Sequence, residues 1–272
     1  MILGKCLVIF EGFKKEIHLF KQISSHFCLL FLLSVSQSSF SATTLVAVAA
    51  NFNKPMSEIV AVFEKATGHS ANLSFGSTGK FVSQMENGAP FEILLAADEK
   101  SPEKLIQDGF AVSGSQFIYA LGKLALWSAT PGYVDNQGKI LNSGGFKHLA
   151  LADPKLAPYG VAAIDVLYTL KLQDKLQPLI VQGESIAQAY QFISSGNAEL
   201  GFVALSQVFD NGKITSGSAW IIPAELHAPI KQTAVLLNKG TENPAAIALL
   251  AYLKSATALE IIQKYGYDLA QQ

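Results

Sequence analysis

No arginine occurs anywhere in the 272 residues, and all twenty basic residues are lysine. An anion bound by this protein is therefore not gripped by a planar guanidinium fork, which leaves neutral hydroxyl and N–H donors to recognise it. Cysteine is almost as scarce, with Cys6 and Cys28 the only two. Beyond the N-terminal stretch the histidines are His69, His148 and His227, and none stands at metal-ligand spacing from another histidine or an acid. All three read as surface or structural residues. No Walker A loop, Gly-x-Ser-x-Gly elbow, charge run or internal repeat is present.

The longest apolar stretch near the N-terminus, Phe27 to Val35, is too short to span a bilayer. Lys14, Lys15 and Lys21 precede it, and the small residues Ser39 and Ser41 suit a cleavage point. Residues 1–41 are therefore expected to be a secretory signal peptide cut after Ser41, which places the protein in the periplasm. Bulky residues before Cys28 argue against a lipoprotein. Removing this leader takes away both cysteines and leaves 231 residues with 16 Lys against 19 acids. Such a chain has no disulfide and no thiolate nucleophile, and its acidic balance argues against a nucleic-acid partner.

Beyond the leader, strand and helix alternate, the pattern of an α/β protein with parallel sheets. Thr44 to Ala50 is a continuous apolar run, as a strand buried on both faces requires. Pro55 opens a helix carrying Met56, Ile59, Val60 and Phe63 on one face, and Gly68 closes it. Strands are expected at 69–75, 91–96, 149–152, 179–181, 199–204 and 232–237, and helices from 101, 160 and 185. Thr257 with Glu260 reads as a capping box for the last helix. The β-rich run Phe117 to Trp127 is long enough to leave one sheet and enter another, and the late strand could return to the first. Two such crossovers favour two lobes over one large domain, with a cleft between them.

Candidate chemistry lies in the strand-to-helix loops. Gly76-Ser77-Thr78-Gly79 joins a strand to a helix and aims hydroxyls and free N–H groups at one spot, which suits a small, fully ionised oxyanion. The loops at Asn51, at Asp153 to Gly160 and at Gln182 to Ile186 have the same placement, at the C-terminal ends of expected strands. Each also has a plain reading: Asn51 or the Ser/Thr pair as a helix cap, Tyr159 as an exposed aromatic, Ile186 as core. Asp98-Glu99 comes after another strand end, where it could cap a helix, sit on the cleft rim or bind a cation. An exported hydrolase with Ser77 or Thr78 as nucleophile is the competing class, but no histidine is positioned by spacing to serve as its base.

In combination these motifs resemble the periplasmic molybdate-binding proteins of ABC importers: Val48-Ala49-Ala50-Asn51-Phe52, Gly76-Ser77-Thr78-Gly79, Ala96-Ala97-Asp98, Asp153-Pro154 with Ala157-Pro158-Tyr159-Gly160, Gly201-Phe202-Val203-Ala204, and Tyr265-Gly266-Tyr267. The resemblance implies a two-lobed type II periplasmic binding-protein fold, each lobe a mainly parallel sheet flanked by helices, with two crossover strands as hinge. It implies lobe I over 42–121 and 229–272 and lobe II over 122–228. It further implies no enzymatic activity and no cofactor. The ligand it implies is molybdate or tungstate, with sulfate or another tetrahedral anion as the alternative, and it implies a monomer whose partner is an ABC permease. The implied contacts are the Ala50 N–H, Asn51 through its side chain, Thr78, and the N–H groups of Tyr159 and Ile186, with no residue ligating the metal directly.

Overall fold

The computed structural model describes residues 41–270. Apart from Ser41, the leader expected over residues 1–41 lies outside the described residues. The chain builds two five-stranded sheets. The first sheet holds β1 (Thr43–Ala49), β2 (Ser70–Gly76), β3 (Ile93–Ala96), β4 (Phe117–Gly122) and, much later, the twelfth strand (Ile230–Leu236), in the order β2-β1-β3-β12-β4. The second holds β5 (Leu124–Ser128), β6 (Leu149–Ala152), β7 (Ile180–Gly183), β8 (Leu200–Ala204) and β11 (Ser218–Ile221), in the order β11-β5-β8-β6-β7. Two residue pairs, β9 (Phe209–Asp210) and β10 (Lys213–Ile214), form a separate small hairpin.

The main helices are α1 (Asn53–Thr67), α2 (Thr78–Glu86), α3 (Lys100–Gln107), α4 (Pro158–Thr169), α5 (Ile186–Ser194), α6 (Pro244–Tyr252) and α7 (Ala256–Lys264). They cover both faces of the first sheet because its strands are apolar on both sides. Val46 and Val48 point into a core with Phe52, Met56, Ile59 and Phe63, while Ala47 points into the opposite core with Phe81, Met85 and Phe91. The second sheet does the same: Leu149 and Leu151 pack with Ala163, Val166 and Leu167, and Ala150 packs with Ile193 and Val203 on the other face. α1 ends at Gly68, whose φ of 74° supplies the left-handed cap and whose N–H reaches Glu64 O.

The strands are not all parallel. One strand in each sheet is reversed: β12 runs antiparallel to both its neighbours, β3 and β4, and β5 runs antiparallel to β8 and β11. Each reversed strand is the first element the chain makes after changing sheets. The run at 117–127 is two strands, β4 and β5, belonging to different sheets and parted only at Lys123. Because the chain enters the second sheet without turning round, β5 opposes the strands that later pack beside it. The return crossing, through residues 222–229, lies alongside the first, since Ile230 pairs with Gly122 and Ile221 with Ala125. The last helix is capped by Ser255, whose hydroxyl accepts from Ala258 N–H, so Thr257 lies within the first turn and the expected capping box falls two residues past the true start. The hairpin strands, two residues each, are too short for the sequence pattern to have revealed them, and the edge strand β11 was not among the expected strands either.

Gly160, in the first turn of α4, lets that helix start against the end of β6. A Cβ there would stand 2.1 Å from Ala152 O and 2.8 Å from Pro154 N, both backbone. Gly160→Ala is expected to destabilise the protein by about 3 kcal/mol, read as a lowered urea midpoint at unchanged slope.

Candidate functional site

The parallel strands bring their C-terminal ends to the edge where the two sheets face each other. After β1 comes a helical turn at Ala50–Phe52; after β2, Ser77 and α2; after β6, the loop 153–157 and α4; after β7, Glu184-Ser185 and α5. Four helical starts converge there, and their leading N–H groups have no carbonyl within their own helix to bond. Between them is a closed cavity of about 10 Å³, measured by the space open to the centre of a water molecule. A void of that size is too small for an organic ligand. It is lined by residues 49–51, 76–78 and Ala97 from the first lobe and by residues 157–159 and Ile186 from the second.

All five residues singled out in the sequence thus meet at one place: Ala50, Asn51, Thr78, Tyr159 and Ile186. They are sealed from solvent, with Thr78 and Tyr159 each 1% exposed and Asn51 and Ile186 each 3%. No lysine, acid or histidine lines the cavity. Thr78 Oγ1 accepts from Ala97 N–H at 3.1 Å, which leaves its O–H free to donate. Ser185 caps α5 by accepting from Gln188 N–H, holding Ile186 as the first helical residue.

Two details differ from the sequence reading. Ser77 belongs to the site as well: its hydroxyl is buried, lines the cavity and has no protein partner. The Ser/Thr pair pointed to a hydroxyl site, but that both neighbours reach the cavity depends on the helix start. The Asn51 side chain is turned to another task. Its Nδ2 donates to Gln232 Oε1 at 2.7 Å and to the Tyr267 hydroxyl at 2.9 Å, so both protons of the Asn51 amide are engaged away from an anion. Gln232 was not legible as a partner, since it lies 181 residues away on the return strand.

Behind Asn51 lies a buried polar cluster at the crossing point. The Tyr267 hydroxyl is 3.0 Å from Asn51 O and 3.1 Å from Ser206 Oγ, and Ser206 in turn donates to Asn51 O at 2.8 Å. A Cβ on Gly122 would stand 2.3 Å from the Tyr159 hydroxyl and 2.8 Å from Gln232 Nε2, so only glycine fits this crossing. Burial pushes the Tyr119 and Tyr159 hydroxyls well above their ordinary range, and pushes Tyr267 up to about 12 against the hydrogen bonds it makes with Ser206 and Asn51.

The lobes are shut. Gly79 N–H donates to Leu156 O at 2.9 Å, Lys54 Nζ donates to Gln207 O at 2.7 Å, and Lys80 pairs with Glu184. A wider groove of about 350 Å³ opens beside the cavity and carries Asp98 on its wall. Burial raises the Asp98 carboxyl, while the backbone and hydroxyl of Ser101 hold it down. Asp98 therefore caps the start of α3. Among the described residues no cluster of three His, Cys, Asp or Glu could hold a metal ion, and no single helix is long and apolar enough to cross a membrane.

The family model for bacterial extracellular solute-binding protein matches residues 44–268. The chain belongs to that family. A molybdate-binding protein ModA of Azotobacter vinelandii is 58% identical over 228 residues, covering 84% of this chain and 90% of that protein. A ModA of Rhodobacter capsulatus is 49% identical over 239 residues, covering 88% and 93%. The solved periplasmic molybdate-binding protein of Azotobacter vinelandii superposes with a TM-score of 0.81 at 45% identity, over 84% of this chain and all of that one. This solute-binding chain therefore has the two-lobed type II periplasmic binding-protein fold.

The unpartnered hydroxyl and the tyrosine cluster each make the site testable. Ser77→Ala should weaken oxyanion binding by about 1.5–3 kcal/mol, the worth of a charge-assisted hydrogen bond, measured by calorimetric titration. The ligand-free variant should be no less stable, because the lost hydroxyl has no protein partner to lose. In the cluster, Tyr267 titrates near 10 when unfolded and about 12 when folded, so its contribution is complete below pH 10 and is lost as pH rises through 12. Unfolding free energy should fall between pH 10 and 12, and Tyr267→Phe should make that fall shallower without abolishing it, because Tyr119 and Tyr159 are raised as well.

Proposed function

We propose that this protein captures molybdate, and tungstate with it, in the interlobe cavity and delivers it from the periplasm to the permease of an ABC importer. The observation that carries this reading is a small cavity lined by buried residues, with hydroxyls and helix-start N–H groups around it and no charged side chain. A molybdate or tungstate dianion has four acceptor oxygens and no proton near neutral pH, so it needs donors alone. Ser77 and Thr78 hydroxyls and the N–H groups of Ala50, Asn51, Tyr159 and Ile186 supply them. At about 1.5–3 kcal/mol for each charge-assisted bond, these six donors offset the desolvation of a dianion and leave submicromolar affinity.

The identities of 58% and 49% to proteins named for molybdate binding support the choice of anion. Protonated phosphate would need an acceptor, and no acidic side chain lines the cavity. Sulfate carries the same charge but is smaller, so the cavity rejects it by leaving its oxygens out of reach of part of the donor set. The hydrolase reading loses ground on the same chemistry: no base in the cavity can take a proton from Ser77 or Thr78.

Calorimetric titration with molybdate, tungstate, sulfate and phosphate tests the proposal. Strong heat with the first two and weak or no heat with the others is expected. Molybdate at 100 times its dissociation constant should also add about 2.7 kcal/mol of stability in a melting assay. Silence toward both molybdate and tungstate would refute the reading.

A further inference from the structure

We infer that Gly79 sets how closely the two lobes can approach, and so acts as a positioning residue for anion capture without touching the anion; the inference rests on the proposed capture by lobe closure. Gly79 is the second residue of α2, whose free N–H groups face the cleft. Its own N–H does not serve the cavity. It donates across the cleft to Leu156 O at 2.9 Å, a backbone bond between the lobes. A Cβ on Gly79 would stand 3.0 Å from Leu156 O and 3.3 Å from Leu156 Cα.

The obstacle it would meet cannot easily give way. Leu156 N–H bonds to Asp153 O at 3.0 Å, Ala157 N–H bonds to the same oxygen at 2.9 Å, and Asp153 N–H is tied to Gly183 O at 2.7 Å. The loop is thus pinned to the end of β7 and leads directly into α4, which presents the Tyr159 N–H. Any retreat of Leu156 carries the second lobe's donors with it. Within the first lobe, by contrast, alanine at this helical position relieves the flexibility of glycine and costs nothing. The two requirements oppose each other: α2 alone would favour alanine, and only the shut state demands glycine.

The test compares Gly79→Ala and Gly79→Val with the parent in three measurements. The first is the molybdate dissociation constant. The second is the melting temperature of the ligand-free protein. The third is cross-linking by a short bismaleimide between cysteines placed by Lys80→Cys and Glu184→Cys, an exposed pair that spans the cleft, in a full chain also carrying Cys6→Ser and Cys28→Ser. Gly79→Ala should weaken molybdate binding by at least about tenfold and lower the cross-link yield, with Gly79→Val worse, while the ligand-free melting temperature of Gly79→Ala stays at or above the parent's. Parental affinity and parental cross-linking in both variants would overturn the inference, as would an affinity loss matched by an equal loss of ligand-free stability. If the parent itself takes no molybdate, the proposed function fails. The inference about Gly79 is then decided by cross-linking of the ligand-free chain alone, where a yield below the parent's supports it and an equal yield overturns it.

Discussion

A dianion buried without a counter-charge must be surrounded by donors that have no better use, and the rest of this structure depends on that requirement. Backbone N–H groups with no partner are rare inside proteins, because each costs free energy when left unmade. The reliable supply is the first turn of a helix. One helix offers two or three such groups in one direction, which is too few for a tetrahedral ion. The chain therefore brings four helical starts together, at Ala50, Thr78, Pro158 and Ile186. No single sheet edge can aim all four at one point from opposite sides. Two sheets facing one another can, and that is the architecture observed.

Placing the donors on two sheets makes the connection between the sheets part of the site. The two crossings lie side by side at Gly122 and Ile230, where β4 pairs with β12. Directly beneath them sit Gln232, Tyr119, Tyr159 and Tyr267, all buried. Asn51 links this cluster to the cavity, since its amide reaches Gln232 and Tyr267 while its backbone lies in the first loop. A change in the crossing segments is therefore felt at the first loop through a short chain of side-chain hydrogen bonds. Tyr159 does the same for the second lobe, with its ring against Gly122 and its backbone at the cavity.

The sequence made the loops legible because a strand end, a hydroxyl pair and a helix start are all local signals. Ser77-Thr78 and Ser185 could be placed from spacing alone, and so could the two-faced apolar strands. What lay hidden depends on pairs far apart in the chain. The role of Asn51 is set by Gln232 and Tyr267, neither of them a neighbour in sequence. Gly79 reads as one more loop glycine until Leu156 is seen across the cleft. That Ser77 joins Thr78 at the cavity turned on how the helix starts, and the reversed strands β5 and β12 on connectivity between sheets. The offset between Ser255 and Thr257 has a simpler cause: both are good capping residues, and only the first is followed by the helix in the right register.

The same donors also explain why the anion should decide whether the lobes close. Shut around nothing, the cavity would face the positive ends of several helices toward one another and bury the Ser77 hydroxyl unpaired, at about 1–3 kcal/mol for each unsatisfied group. The bonds between the lobes include Gly79 to Leu156, Ser206 to Asn51, Tyr267 to Ser206, Asn211 to Lys264, Lys54 to Gln207 and the exposed Lys80–Glu184 and Lys123–Asp268 pairs. The neutral bonds among them are worth about 1 kcal/mol each and an exposed ion pair less than that, and the stranded donors oppose them. A bound dianion reverses the sign of the argument, because the groups that opposed closure now bind it. Closure then results from the ion's preference for the shut state, and a permease that touches both lobes can sense the cargo without touching it.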